Sequence, residues 1–401
     1  MRRHIVRYLA MAAVPALAAC GGDSVSGPAL QQTLSKLTAG IQHSCGLVPD
    51  GTAYCWGWNM NGQLGDGSLQ NRSVPVAVDT DLKFTEIAAG GGHTCAIATG
   101  GDTWCWGLNL SGQLGNGFNN DEVRPVMVSG GLQFTSLVAG GTYTCALTAA
   151  GEAYCWGWND FGQLGIGMTG DRNTPTLVAG GITFDQVAVS TRHTCGLDPT
   201  GAAWCWGQNN RGQLGNSTVQ SEMSPVAVVG GLSFTRIGVG ENHTCALDAT
   251  GEVFCWGAND FGQTASTGGD HADPVSIIGG LTFEFLEVQG DFSCGLSLSV
   301  AYCWGSNDLG QHGSLSATSC TTTDPLGQVV VTIACSNEPV PATTDLRYTR
   351  FELGTHHVCG VAIGGGGYCW GSGTEGQLGD GRSGSTYFSI DPQRVSGQPA
   401  G

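Results

Sequence analysis

A pair of cysteines recurs about every fifty residues along this 401-residue chain. Fourteen of the 17 cysteines fall into seven such pairs, and each second cysteine is followed by Trp-Gly. A period of roughly 20 to 50 residues is typical of arrays in which each copy is one supersecondary unit. We therefore interpret the chain as one unit copied seven times. The pairs are Cys45 with Cys55, Cys95 with Cys105, Cys145 with Cys155, Cys195 with Cys205, Cys245 with Cys255, Cys294 with Cys303, and Cys359 with Cys369.

Each copy contains four short segments with the composition of β-strands. They are rich in β-branched, aromatic or alternating apolar residues, and Gly, Asn, Asp and Ser stand between them. No stretch of ten or more residues carries a helical period. In the second copy the segments are Phe84–Ala89, His93–Ala98, Thr103–Trp106 and Pro125–Val128. Four strands in each of seven copies predict an all-β fold, a seven-bladed β-propeller of four-stranded blades.

The spacing within a pair predicts one disulfide in each blade. A hairpin centred near Asp50-Gly51 places Cys45 opposite Cys55. Residues opposed in this way have Cα atoms about 4.5 Å apart, within the usual disulfide range of roughly 4.4–6.8 Å. Zinc binding is the alternative, but a Cys-x9-Cys pair with no second pair nearby is poor zinc spacing. We predict no metal site and one further disulfide, between Cys320 and Cys335.

The repeated motif resembles the regulator-of-chromosome-condensation repeat. Its elements are His-Thr-Cys-Ala-Leu, a glycine, Tyr-Cys-Trp-Gly-x-Asn and Gly-Gln-Leu-Gly. The resemblance covers residues 34 to about 397 and implies a propeller that acts as an interaction platform. A kelch propeller has a similar period but lacks Gly-Gln-Leu-Gly. That element stands at 62–65, 112–115, 162–165, 212–215 and 376–379.

The order of strands in the copies leads to a prediction of how the ring closes. A strand of the Phe-x-x-Ile type precedes each cysteine hairpin, whereas no such strand follows Pro392–Val395 in the last copy. Residues 34–37, before the first hairpin, have the right form. We predict that this N-terminal strand completes the last blade and removes a sheet edge.

The chain is acidic, with a formal net charge of −17. No cluster of Lys or Arg follows residue 7. Proteins that bind nucleic acid usually present a basic face, whereas an acidic chain repels phosphate backbones. We therefore predict no nucleic-acid partner and no charge-driven binding to anionic lipids.

The first twenty residues have the layout of an export signal. Three arginines within residues 1–7 precede an apolar stretch at 8–16 that is too short to span a membrane. Residues 17–20 resemble the lipobox of bacterial lipoproteins, which implies cleavage before Cys20 and lipid attachment to it. The alternative is a plain signal peptide with an incidental cysteine. With Cys20 set apart, the other cysteines form eight pairs, which fits an oxidising compartment.

These assignments divide the chain into four regions. They are a signal peptide at 1–19, a lipidated cysteine with a flexible tether at 20–33, a propeller at 34–397 and a tail at 398–401. We expect an exported lipoprotein, anchored at the outer membrane or the cell surface.

No catalytic or cofactor motif is present in the sequence. Gly-x-Ser-x-Gly, a phosphate-binding loop, His-Glu-x-x-His and a dinucleotide fingerprint are all absent. A histidine stands two residues before the cysteine in five copies, but Tyr143 and Phe292 replace it in the others. Since a metal or acid–base role would not tolerate Phe, we interpret these histidines as structural. We predict no catalytic residue and no cofactor.

Positions that vary within the fixed frame are free to bind a partner. The frame Cys-Trp-Gly-x-Asn-x-x-Gly-Gln varies at three places, where several copies carry large apolar residues on a polar turn. Such residues are costly to expose and resemble interface anchors. Packing against the next blade is the alternative. The predicted partner-binding residues are Trp58, Met60, Leu110, Trp158, Phe161, Phe261 and Leu309.

A second candidate is an insertion at about 312–345. Cys294 and Cys359 are 65 residues apart, fifteen more than the standard 50, and the extra segment carries Cys320 and Cys335. Long ordered loops in compact folds are often functional. We predict a partner contact there, against the alternative of an inert insertion.

The predicted function is that of a non-catalytic, lipid-anchored module that binds a protein or another component of the cell envelope. One alternative is an enzyme that acts on envelope polysaccharide with side chains at the propeller mouth. Another, implied by the nuclear members of the family, is guanine-nucleotide exchange on a small GTPase. The export signal, the acidic charge and the disulfides all disfavour exchange.

Overall fold

The computed structural model shows seven β-sheets arranged as a propeller. It describes residues 30–315, 318–323, 329–342 and 344–399, so the predicted signal peptide and Cys20 lie outside the described residues. Six sheets have four strands and one has five, and neighbouring strands within a sheet run antiparallel. No helix in the described ranges is long and apolar enough to cross a membrane. The structure confirms the all-β, seven-bladed propeller.

Each blade is a single stretch of chain whose strands follow one another from the innermost to the outermost, except that the last two strands of blade 6 lie in reverse order. Blades 1 to 4 contain β1 (Lys36–Ala39), β2 (His43–Leu47), β3 (Ala53–Gly57), β4 (Arg72–Ala77), β5 (Phe84–Ala89), β6 (His93–Ala98), β7 (Thr103–Gly107), β8 (Glu122–Met127), β9 (Phe134–Ala139), β10 (Tyr143–Thr148), β11 (Ala153–Gly157), β12 (Arg172–Leu177), β13 (Gln186–Val189), β14 (His193–Leu197), β15 (Ala203–Gly207) and β16 (Glu222–Ala227). Blades 5 to 7 contain β17 (Phe234–Val239), β18 (His243–Asp248), β19 (Val253–Gly257), β20 (His271–Ser276), β21 (Phe285–Gln289), β22 (Phe292–Ser297), β23 (Val300–Ser306), β24 (Thr318–Thr323), β25 (Val329–Pro341), β26 (Tyr348–Leu353), β27 (His357–Ala362), β28 (Gly367–Ser372) and β29 (Phe388–Arg394).

The connections between strands define two faces of the ring. We call the upper face the one that carries the first-to-second and third-to-fourth connections, which are 40–42 and 58–71 in blade 1. The lower face carries the remaining connections, such as 48–52 and 78–83. The long loops therefore all lie on the upper face.

The strands of the second copy follow the predicted segments closely. The fourth strand, β8, starts at Glu122 rather than at the predicted Pro125. Glu122 pairs with Gly107 across a register shift, so the sheet continues to residues that carry no apolar pattern of their own.

The two cysteines of each repeat face one another across the second and third strands of a blade. In blade 3, Cys145 lies directly opposite Cys155, as the hairpin argument predicted. The sulfur atoms of all seven pairs are bonded, and their Cα atoms are 4.0–4.1 Å apart, slightly below the usual range of roughly 4.4–6.8 Å. All fourteen cysteines are fully buried, so each crosslink lies inside the ring. The other six pairs are Cys45 with Cys55, Cys95 with Cys105, Cys195 with Cys205, Cys245 with Cys255, Cys294 with Cys303, and Cys359 with Cys369.

We expect the double substitution of Cys145 and Cys155 by Ala to lower the free energy of unfolding by about 2–3 kcal/mol. A disulfide that closes a loop of this length reduces the conformational entropy of the unfolded chain by about that amount. Urea titration at neutral pH measures the change. The comparison is the double substitution of Cys320 and Cys335, whose disulfide closes a longer loop, with a sequence separation of 15, and should cost about 3 kcal/mol by the same rule. No loss of stability in the Cys145 and Cys155 variant would contradict the assignment.

Successive blades are joined through the backbone carbonyl of one glutamine. The oxygen of Gln63 accepts hydrogen bonds from Trp106 Nε1 at 2.9 Å and Thr94 Oγ1 at 2.8 Å, both in the next blade. His43 Nε2 lies 2.8 Å from the same Thr94 hydroxyl. Because that hydroxyl donates its proton to Gln63, the imidazole must donate to it from Nε2.

The histidine arrangement is repeated around the ring and agrees with the structural interpretation. His43, His93, His193, His243 and His357 are completely buried, and each bonds a hydroxyl of the next blade: Thr94, Thr144, Thr244, Ser293 and Ser44. Burial lowers the pKa of each imidazole to about 3. The imidazoles are therefore neutral at any ordinary pH.

The predicted closure of the ring by an N-terminal strand in the last blade is wrong. β1 pairs with β2 inside the first blade. The last blade has its own innermost strand, β26, which pairs with β27. Because all seven copies already contain an innermost strand, the last sheet has no vacant place.

The ring closes instead through side chains between blades 7 and 1. Trp56 Nε1 donates to the Gln377 carbonyl at 2.9 Å, and Ser44 Oγ donates to the same oxygen at 3.0 Å. His357 bonds Ser44 at 2.8 Å. The segment 30–37 adds three leucines to the apolar cluster between these blades. The bond from a Trp Nε1 to a Gln carbonyl thus recurs at the closure as between every other pair of neighbouring blades.

The insertion forms a hairpin on the sixth blade, which gives that sheet its fifth strand. β25 pairs with β23 through residues 335–341 and with β24 through residues 329–335. Since Cys335 pairs with the last residue of β23, the hairpin extends the sheet beyond the upper end of the blade. The Cα atoms of Cys320 and Cys335 are 5.7 Å apart, within the usual disulfide range.

Candidate binding surface

The upper loops share one hydrogen-bonded frame. In blade 1 Leu64 N donates to Asn59 Oδ1 at 2.9 Å, and Asn59 Nδ2 donates to the Ser68 carbonyl at 3.1 Å. Asn61 N donates to Gln63 Oε1 at 3.0 Å. The side-chain oxygens of five other asparagines hold their loops in the same way: Asn109, Asn159, Asn209, Asn259 and Asn307. The backbone of these loops is therefore fixed, and the variable residues between Asn and Gly project from it.

The Gly-Gln-Leu-Gly element has a packing reason for its second glycine. Gly65 has φ +67°, and a Cβ on it would lie 2.8 Å from Trp106 Nε1 in the next blade. Leu64 is completely buried beside it. The element therefore serves the joint between blades rather than ligand binding.

The predicted partner-binding residues all lie in the upper loops, but their exposure differs. Met60 is 60 % exposed and Leu110 is 74 % exposed. Trp158 packs edge-on against Phe161, with ring centroids 5.5 Å apart, and Arg192 lies 5.8 Å over the Phe161 ring. Part of their surface thus serves local packing, as the alternative interpretation held. The half-buried members of the set are Trp58, Trp158, Phe161, Phe261 and Leu309.

Sequence reasoning missed further exposed apolar residues in the same loops. Phe118 is 68 % exposed and Met168 is 53 % exposed. They follow the Gly-Gln-Leu-Gly element, outside the frame that was compared between copies. An apolar residue just after a Gly-x-Gly turn was the available signal. We call the exposed apolar side chains in the upper loops between the third and fourth strands of blades 1 to 4 the apolar arc: Met60, Leu69, Leu110, Phe118, Met168 and Val219.

The upper loops of blades 5 and 6 carry several acids beside apolar residues such as Leu315, which is 83 % exposed. Asp260 and Asp308 occupy the position of Met60 in blades 5 and 6. Arg211 forms ion pairs with Asp260 at 2.6 Å and with Asp270. Burial, with Glu241 and Asp260 nearby, raises the pKa of Asp291 to about 6. The upper face therefore carries the apolar arc on blades 1 to 4 and a group of acids on blades 5 and 6.

A cavity of about 350 Å³ lies between the innermost strands. Lys36 pairs with Glu86, and Arg236 pairs with Glu287, each across two neighbouring blades. Burial and the nearby Glu287 raise the pKa of Glu352 to about 8, so this carboxyl keeps its proton at neutral pH. Because neighbouring innermost strands do not pair through their backbones, these side chains bind the blades to one another.

The insertion borders a second cavity of about 480 Å³ on the upper side of blade 5. Thr318 and Asn337 line it from the hairpin, and Asn259 and Asp260 line it from the blade 5 loop. The structure therefore places the insertion beside the acids of blades 5 and 6. In the described ranges no three His, Cys, Asp or Glu side chains are grouped so as to hold a metal ion.

Comparison with known families gives one consistent result. The RCC1-like domain matches residues 82–400. The regulator of chromosome condensation (RCC1) repeat matches residues 50–97, and a second form of that repeat matches 35–63. No curated protein matches the chain.

Solved structures show the same fold. Prp20p from Saccharomyces cerevisiae, described with its binding properties to Gsp1p and histones, is 24 % identical with a TM-score of 0.73. That similarity covers 91 % of this chain and 87 % of Prp20p. Human WBSCR16 is 21 % identical with a TM-score of 0.72, over 83 % of this chain and 88 % of that one. Sequence identities this low show only that the fold is shared.

Proposed function

Because the chain belongs to the RCC1-like domain family, we propose that it is a non-catalytic binding module for a protein or another component of the cell envelope. The observation that carries the proposal is the apolar arc, where large apolar side chains project from loops with a fixed backbone. Exposed apolar patches mark interaction sites, and a preorganised loop lowers the ordering cost of binding. Prp20p, with its binding to Gsp1p and histones, supports a protein as the class of partner.

The proposal includes a lipid anchor at Cys20, a residue outside the described part of the chain. The described part begins at Leu30, which is buried in the closure joint with Val395. Val395 follows the lower end of β29, so the chain enters the ring at the lower face. Ten residues separate position 20 from position 30, and ten extended residues reach at most about 35 Å. An anchor at Cys20 would therefore hold the lower face toward the membrane and leave the apolar arc facing away.

The double substitution of Leu110 and Phe118 by Ser is expected to abolish capture of the partner from envelope extract. Both side chains are exposed, so the free energy of unfolding of the variant should stay within about 0.5 kcal/mol of the wild type. The matched control is the double substitution of Met127 and Leu177 by Ser. These residues are each 49 % exposed but end the outermost strands β8 and β12, toward the lower face.

Two results would contradict the proposal. One is that the arc variant and the control variant reduce capture of the partner by the same amount. The other is hydrolysis of an envelope glycan by the purified protein that is lost on Glu352→Gln, since this would favour the alternative of an enzyme. The anchor is tested separately, because a Cys20→Ser protein that stays in the membrane fraction would refute lipid attachment at that residue.

A further inference from the structure

The outermost strand of every regular four-stranded set contains a proline. Proline has no N–H, so it interrupts the row of backbone donors that another strand would need. Proteins commonly protect exposed sheet edges in this way. The seven residues are Pro75, Pro125, Pro175, Pro225, Pro274, Pro339 and Pro392.

β24 lacks this protection. It adds to the sixth blade outside β25 and is the outermost strand there. Its sequence, Thr-Ser-Cys-Thr-Thr-Thr, contains neither proline nor charge. β25 occupies one edge of β24, and no described strand pairs with the other edge. An edge of this kind is a template for a further strand.

The edge is also held in a defined shape. The Cys320–Cys335 pair is at disulfide distance and links β24 to β25. Thr321 Oγ1 and Thr332 Oγ1 lie 3.1 Å apart across the same two strands. A strand fixed in advance loses less conformational freedom when a second strand pairs with it.

The charge distribution identifies the strand that fits. The chain has a net charge of −17, so two copies repel one another over most of their surfaces. Between Asp308 and Glu338, however, the sequence contains one acid, Asp324, and no Lys or Arg. The hairpin itself therefore adds little charge repulsion between two copies. Threonines facing one another across antiparallel strands add favourable pairs.

We propose that two copies of this chain associate through β24, whose free edges pair in antiparallel fashion. The two five-stranded sheets of the sixth blades then become one continuous sheet across the two-fold axis. One pair of six-residue strands buries well under the roughly 1,200 Å² of a stable interface. The association is therefore reversible and depends on concentration. It leaves the apolar arc, on blades 1 to 4, free for another partner.

Sedimentation of the purified full-length protein over a wide concentration range tests the pairing. The wild type is expected to show a monomer–dimer equilibrium. Thr321→Glu places like charges at the paired edges and is expected to raise the dissociation constant at least about tenfold, equivalent to about 1.4 kcal/mol. Thr321→Val keeps a neutral β-branched residue and is expected to leave the dissociation constant within about twofold of the wild type.

Amide hydrogen exchange on the wild type gives a second measurement that needs no variant. Exchange of the 318–323 amides should slow as the protein concentration rises, while exchange in 122–127, an outermost strand with proline, should not change. A wild type that stays monomeric at every concentration would overturn the proposal. Dimerisation that survives Thr321→Glu, or that protects another surface instead, would do the same. No partner from the envelope enters these experiments, so their outcome is separate from that of the proposed function.

Discussion

Acidification to about pH 5 is expected to unfold the propeller. Five buried imidazoles, one in each of five joints between blades, have pKa values of about 3 in the folded protein, compared with the ordinary value of 6.5. Below pH 6.5 the unfolded chain therefore binds protons that the folded ring does not. The stabilisation is complete above pH 6.5 and is lost as the pH falls from 6.5 toward 3.

The size of the effect follows from the number of joints. Each imidazole lowers the free energy of unfolding by about 1.4 kcal/mol for each pH unit below 6.5. Five of them remove roughly 7 kcal/mol by one unit below pH 6.5, which is comparable with the whole stability of a typical domain. Glu352 and Asp291 act in the opposite direction, because their pKa values are raised to about 8 and about 6. Two carboxyls do not offset five imidazoles.

Urea midpoints measured between about pH 7.5 and pH 5 check this expectation. His93→Gln is the matched variant, because an amide can donate to the Thr144 hydroxyl but does not titrate in this range. It should reduce the pH dependence by the share of one imidazole, about 1.4 kcal/mol per pH unit. A stability that is flat between pH 7 and pH 5 would show that the imidazoles are not held neutral.

Trp56→Ala is expected to lower the free energy of unfolding by about 3–5 kcal/mol, the usual cost of removing a buried Trp. Trp56 is completely buried and donates to the Gln377 carbonyl across the closure joint. No interblade connection of the polypeptide links blades 7 and 1 across this joint. The loss should therefore be at least as large as that of Trp206→Ala, whose indole makes the same bond to Gln163 between connected blades.

Trp56→Phe is the control, since it keeps a six-membered aromatic ring but loses the indole N–H and three side-chain heavy atoms. It should cost less than Trp56→Ala but more than the about 1 kcal/mol of the hydrogen bond, because Ser44 still donates to the Gln377 carbonyl while the missing atoms leave a cavity. Thermal and urea unfolding of the four proteins measure these differences. A cost for Trp56→Ala well below that of Trp206→Ala would show that the closure joint carries little of the stability.

The sequence predicted the blade because its signals are local. A hairpin eleven residues long, with cysteines at both ends, determines which residues face one another, and the structure shows Cys145 opposite Cys155. The closure of the ring was not predictable in the same way. A periodic sequence does not say where one blade ends and the next begins, and the pairing of β1 with β2 decides it.

The candidate surface was predictable in part for a similar reason. Comparison between copies located the loops that carry Met60 and Leu110, because the Asn and Gln of the frame recur in the sequence. It did not separate these exposed residues from Trp158, since its packing on Phe161 depends on side-chain orientation. The shifted pKa of Glu352 depends on charges from other blades, and no local pattern shows it.

The closure of the ring without a strand shared between blades 7 and 1 has a consequence for the order of the chain. Every blade is one contiguous segment, and Leu34 N near one end lies 3.4 Å from Gln398 Oε1 near the other. A short linker could therefore join the two ends, and the polypeptide could instead begin in the connection at 129–133, between blades 2 and 3. Such a circular permutant would keep all seven joints. The blades have a cyclic order, and the fold does not require any particular blade to come first in the chain.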